Sequence, residues 1–157
     1  MSNKKLEFSR IVDATPEEMY RYWTDPQLIT SWFCPKPWNC TKCENEVKPG
    51  GAFNTTMEGP EGQSMSNKGC FLEVVPNRKL VFTDALAAGY VPNGKPFMVA
   101  TVEFEKEGNG TRYSATLQHW TEEDCKKHAE MGFPDGWLAA LDQMLEQIRG
   151  NQTKIPR

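Results

Sequence analysis

Two histidines, five cysteines and a strand-borne tyrosine hold the chemistry this chain could offer. Tyr113, Leu117 and His119 recur at even spacing in an alternating segment, so they share one face. An inward imidazole titrates near neutral pH and could serve as a general acid or base beside the Tyr113 hydroxyl. A neutral histidine bonded to backbone is the commoner outcome at such a position. His128 lies in a helical stretch two residues before Glu130 and reads as capped or solvated. No Ser-His-Asp or Cys-His pattern stands at local motif spacing, although spatial triads need not be local. Pro49-Gly50-Gly51 leads into a strand rather than a helix, so it is a turn and not a phosphate loop. The acidic run Glu122-Glu123-Asp124 is a helix start, not a catalytic carboxylate pair. No residue is therefore assigned a catalytic role, and no cofactor is required.

Cys34, Cys40, Cys43, Cys70 and Cys125 make an odd set, which is not a disulfide framework. Cys40-Thr41-Lys42-Cys43 has CxxC spacing, and Cys34 precedes it by six residues. A zinc site would need a further ligand pair, and His119 and His128 are distant and nine apart. In a regular strand the i and i+3 side chains point to opposite faces, so the two sulfurs are expected to diverge. Free structural thiols and no metal site are the expectation. A reducing, cytoplasmic setting follows from them.

The chain has 157 residues, a formal charge of −3, 38% apolar residues and 11% aromatics. That suffices for a folded core and suits one domain over 1–157, with a frayed tail from about 150. The longest unbroken apolar run, Trp137 to Leu141, is far short of a membrane span. The opening residues carry charge without an apolar stretch, which predicts no secretory signal. Mild acidity without a basic block argues against nucleic acid as a partner.

The elements that must position these residues can be read in order. Lys4 to Val12 reads as a strand. Thr15 caps a helix with Pro16 first and Glu17 and Glu18 at its positive end, burying Met19, Tyr20, Tyr22 and Trp23. Asp25-Pro26 starts a second short helix ending near Trp32-Phe33. A loop spans Cys34 to Asn39, then strands over 41–47, 52–57, 66–75 and 79–86 are separated by turns. The 87–96 stretch reads as a loop. Strands over 97–107 and 111–120 meet at Gly108-Asn109-Gly110. Thr121 caps a final helical region with a break at Gly132 and Pro134. Trp137, Leu141, Met144 and Ile148, flanked by Leu138 and Leu145, form its apolar stripe. The fold class is α+β: a curved antiparallel sheet of about six or seven strands around a long C-terminal helix, with two short helices after the first strand. A twisted sheet curls. One helix in its concave face cannot fill the space at both ends, so the remainder is plugged by large side chains or left as a cavity.

The same residues carry a resemblance. Arg10-Ile11-Val12-Asp13-Ala14-Thr15-Pro16, Asp25-Pro26 through Trp32-Phe33, and Pro49-Gly50-Gly51 come first. Gly69 to Val74, Lys79 to Thr83, Gly110 to Tyr113, His128 to Phe133 and Gly136-Trp137 follow in order. This collinear series resembles the small bacterial homologues of the activator of heat-shock-protein-90 ATPase, in the START-like, Bet v 1-like helix-grip (SRPBCC) superfamily. The resemblance implies a sheet gripping the C-terminal helix with an apolar pocket between them. The superfamily includes lipid carriers, polyketide cyclases, plant ligand binders and co-chaperone domains, so fold alone does not select a function.

The expected pocket takes Trp32 and Phe33 from the second helix, and Phe53, Met57, Phe71, Phe82 and Met98 from the strands. Tyr113, Leu117 and His119 come from the late strand, and Met131, Trp137 and Leu141 from the final helical region. The phase of 70–75 admits two readings, which bears on Phe71. The tips of Tyr113, His119 and Trp137 would orient a ligand. Three readings stay open: a binder of a small apolar or aromatic molecule; a cyclase, dehydratase or hydrolase using the same cavity; and a co-chaperone-like module whose partner is a heat-shock chaperone. Either a monomer or a homodimer is compatible with each.

Overall fold

The computed structural model describes residues 4–94 and 96–154, with side chains through 150. Strand β1 (Lys5–Val12) leads through the Thr15 cap into α1 (Pro16–Thr24) and α2 (Pro26–Ile29). Strands β2 (Asn39–Asn45), β3 (Ala52–Glu58), β4 (Ser64–Val75) and β5 (Lys79–Thr83) follow, then a small β6–β7 pair (Leu86–Ala87, Val91–Pro92). Next come β8 (Met98–Glu107), β9 (Gly110–His119), α3 (Glu122–Glu130) and α4 (Asp135–Lys154). The main sheet has seven antiparallel strands in the order β1-β9-β8-β5-β4-β3-β2. This is the α+β arrangement expected from the pattern, in the helix-grip form that the resemblance implies.

The start of α1 has the predicted chemistry. Thr15 Oγ1 accepts from Glu18 N at 3.1 Å, and Glu18 Oε1 accepts from Thr15 N at 2.9 Å, a complete capping box. Across the sheet, register aligns Leu6, Leu117, Ala100, Phe82 and Phe71 in one row beneath the helices. Leu141, Met144, Leu145 and Ile148 of α4 are buried with them.

Several boundaries differ from the sequence expectation, each for a local reason. Helix α2 ends at Ile29 because Thr30 Oγ1 bonds back to the Gln27 carbonyl at 2.9 Å and the chain continues in turns to Phe33. Strand β5 stops at Thr83, and the expected loop after it contains the β6–β7 pair. The final helical region does break at the expected place, into two helices separated at Gly132, whose φ of 106° L side chains rarely adopt. The helix α4 continues past Arg149 to Lys154, where a frayed tail was expected; residues 155–157 lie outside those described.

Two bulges explain the remaining differences. The register skips between Cys40 and Lys42, so Cys40 pairs with Met57 and Cys43 with Thr55. Met57 and Thr55 share a face, so Cys40 and Cys43 do too, contrary to the expected divergence. The second skip, between Phe71 and Glu73, is why the phase of 70–75 was ambiguous from pattern alone.

Candidate functional site

The stripe on α4 changes character along its length. Its later turns bury Leu141, Met144 and Ile148, while its first turns present Gly136, Trp137 and Ala140. Two small residues around one indole leave space against the sheet, and a cavity of about 380 Å³ lies there. That is within the usual size range of small-molecule sites.

Its inner end is aromatic. Trp23 sits centrally, with ring centroids 5.0 Å from Trp32, 5.9 Å from Phe33, 5.7 Å from Phe82 and 6.2 Å from Trp137. Phe53 meets Phe82 edge to face at 4.8 Å. Polar atoms here are engaged: Trp23 Nε1 donates to the buried Tyr113 hydroxyl at 3.2 Å, and Trp32 Nε1 donates to the Tyr22 carbonyl at 3.0 Å. Burial raises the Tyr113 phenol above its ordinary range, opposed by the bond from Trp23. The loop bearing Trp32 and Phe33 is tied to α4 by Gln143. The Gln143 amide donates to the Trp32 and Cys34 carbonyls at 3.0 and 2.9 Å, and its oxygen accepts from Lys36 N at 3.1 Å.

The other end is more polar. Thr55, Met57, Met65, Asn67 and Lys68 come from the β3–β4 hairpin, and Met131 and Phe133 from the α3–α4 junction. Met65 and Met131 are 49% and 71% exposed, which marks this as the rim. Asp84 Oδ1 accepts from Phe97 N at 2.9 Å and Met98 N at 3.0 Å, fixing a carboxylate on the wall. His128 stands beside Phe97, ring centroids 5.1 Å apart, and its Nδ1 lies 2.9 Å from His119 Nε2. His119 Nδ1 lies 3.1 Å from the Lys4 carbonyl. Burial, then the neighbouring His119, lower the His128 pKa to about 4, against the pull of Asp84.

Of the sequence-based site residues, Trp32, Phe33, Phe53, Met57, Phe82, Met98, Tyr113, Met131 and Trp137 lie on the cavity wall. Phe71 does not: it is fully buried behind Phe53, stacked at 5.1 Å. Leu117 and Leu141 are packed in the solid part of the core. His119 stands behind His128, with both ring nitrogens engaged. Wall residues outside the sequence-based set include Trp23, Asp84, Phe97, His128 and Phe133. A signal existed for His128, since Cys125, His128 and Met131 recur every three residues along α3 and into its C-terminal cap.

Nucleophilic chemistry finds little support in the thiols. Cys34 lies on the wall, but burial and the nearby Cys40 push its pKa up to about 11. Cys43 is pushed to about 12 by burial, Cys40 and Glu44, and burial raises Cys40. All five cysteines are free thiols. Among the described residues, no group of three His, Cys, Asp or Glu side chains could hold a metal ion.

The family model described as "Activator of Hsp90 ATPase homolog 1-like protein" matches residues 13–148. The chain belongs to this family. The AHSA1-like match covers α1, every strand except β1, and most of α4. Among solved structures, a protein of Nitrosomonas europaea is 36% identical, with TM-score 0.94, covering 98% of this chain and 99% of that one. A protein of Arthrobacter aurescens is 26% identical with TM-score 0.79, covering 92% and 87% of the two chains. An AHSA1-like protein of Aeromonas hydrophila, 19% identical with TM-score 0.72 over 98% and 97%, shares the fold. No curated protein matches this chain. Among the described residues, no helix is long and apolar enough to cross a membrane.

Proposed function

We propose that this AHSA1-like protein binds a small apolar, ring-containing molecule in the cavity under the first turns of α4. The cavity of about 380 Å³ beside Trp23, Phe82 and Trp137 is the observation that carries the reading. Its contacts would come from the wall residues of the sequence-based set, with Phe71, Leu117, His119 and Leu141 supporting from behind. A ligand burying about 400 Å² of apolar surface gains roughly 10 kcal/mol. Association costs at least about 4 kcal/mol. The difference is at most about 6 kcal/mol, so the dissociation constant is no tighter than roughly tens of micromolar, a carrier's affinity rather than a tight complex. Binding needs no catalysis, and the raised thiol pKa values fit that view. Free thiols suit a cytoplasmic location.

Displacement of a solvatochromic dye by small aromatic molecules tests the proposal. Saturable displacement, lost in Trp137→Ala, supports it; no uptake, or uptake unaffected by that change, counts against it. A chaperone partner is the second reading, favoured by the description of the family that matches 13–148. Stimulation of a heat-shock chaperone's ATPase by the purified protein would support it, and an unchanged rate would remove it.

A further inference from the structure

The bonds around the two histidines fix where their protons lie. The Lys4 carbonyl receives the His119 backbone N–H at 2.8 Å and faces its ring Nδ1 at 3.1 Å. A carbonyl oxygen only accepts, so His119 Nδ1 carries a hydrogen. In the neutral ring, Nε2 then holds the lone pair. The 2.9 Å contact between His119 Nε2 and His128 Nδ1 needs one hydrogen, and only His128 can supply it. The lone pair of neutral His128 is thereby placed on Nε2. Among the described residues, no fully buried side-chain nitrogen or oxygen lacks a partner, and none of these residues bonds His128 Nε2. His128 Nε2 is therefore reachable from the cavity or from solvent, on a wall shared with Phe97 and Phe133.

We propose that His128 Nε2 is a hydrogen-bond acceptor of this site, and that the ligand presents a matching donor: a hydroxyl or N–H group on an apolar, ring-containing body. The inference rests on the cavity reading above and narrows it. The charged groups nearby agree in part. The Asp84 carboxylate, held by two backbone N–H groups, is a second acceptor on this wall. Lys68, exposed on the β4 side, is the one cationic side chain lining the cavity among the described residues. A ketone or ether head would set its lone pairs against those of His128 and Asp84, whereas a donor is matched by them. Proton abstraction is a poorer use of the same atom. A base whose conjugate acid ionises near pH 4 accepts hydrogen bonds at neutral pH but holds an abstracted proton weakly.

Calorimetric titration of the full chain near neutral pH with para-pentylphenol and with its methyl ether separates the possibilities. The expected result is a preference of about threefold to tenfold for the phenol, the range one neutral hydrogen bond supplies. In His128→Leu the preference disappears while ether affinity is retained. Equal binding of both probes by the wild type, or a preference surviving in His128→Leu, overturns the acceptor assignment and leaves the cavity reading standing. Binding of neither probe overturns the cavity reading, and this inference with it. Should His128→Leu fail to fold, long-range ¹H–¹⁵N NMR of the wild type decides: a protonated Nδ1 and bare Nε2 at His128 support the assignment, and the reverse tautomer overturns it.

Discussion

Trp137 and Leu141 stand one turn apart on α4, yet Leu141 is packed in the core and Trp137 borders open space. The same stripe thus grips the sheet at one point and roofs a cavity at the other. This predicts a separation of effects. Leu141→Ala should cost about 2–5 kcal/mol, as expected for truncation in a filled core. Trp137→Ala should cost less stability and more ligand affinity. Denaturant midpoints set beside dye titrations check the contrast; similar losses in both properties for both variants would contradict it.

The Trp23–Tyr113 bond makes a second prediction. Tyr113→Phe leaves the Trp23 indole N–H buried without its acceptor, since the 3.2 Å bond to the hydroxyl is its contact. The expected cost is about 1–3 kcal/mol, read from the urea midpoint with the slope unchanged. A neutral outcome would mean that water or another group replaces the hydroxyl.

The break between α3 and α4 depends on Gly132, at φ 106°. Open space surrounds the position of an added Cβ, so any cost of Gly132→Ala is conformational rather than steric. About 1–3 kcal/mol is expected from holding a non-glycine residue there. Because Met131 and Phe133 flank it on the cavity rim, ligand affinity should fall along with thermal stability.

Acid should weaken the protein through His128. An unfolded histidine takes its proton near pH 6.5, but His128 in the folded chain does so at about 4. Between these values the unfolded state binds more protons, so stability falls as pH drops through the window. The contribution is at most about 3 kcal/mol and is smaller for a half-buried ring. Midpoints measured across this window should decline less in His128→Gln than in the wild type. A donor-bearing ligand bound to neutral His128 should shift the protonation of His128 to lower pH still, which NMR titration of that ring with and without para-pentylphenol reads directly.

Much of the fold was legible because its signals are local. The Thr15 capping box, the alternation through Tyr113 to His119 and the stripe to Ile148 each follow from residue type and spacing. The bulge at Thr41 was not legible, since nothing in Cys40-Thr41-Lys42-Cys43 announces a skipped register. That one irregularity put both sulfurs on one face. The site was partly legible for the same reason. Large aromatic residues at inward phases identify a wall, but Phe53 and Phe71 have the same signal. Only tertiary packing decides that Phe53 faces the cavity and Phe71 lies behind it. Asp84 and Phe97 were missed because their placement depends on bonds across the β5–β8 ends rather than on any periodic pattern.

Filling the space tests the account most directly. Ala140 lines the cavity from α4, and Ala140→Phe would occupy it without removing a buried polar contact. Calorimetric titration of para-pentylphenol should give one saturable site in the wild-type protein and none in a stably folded Ala140→Phe variant. Undiminished binding in that variant, or none in the wild type, would contradict the account.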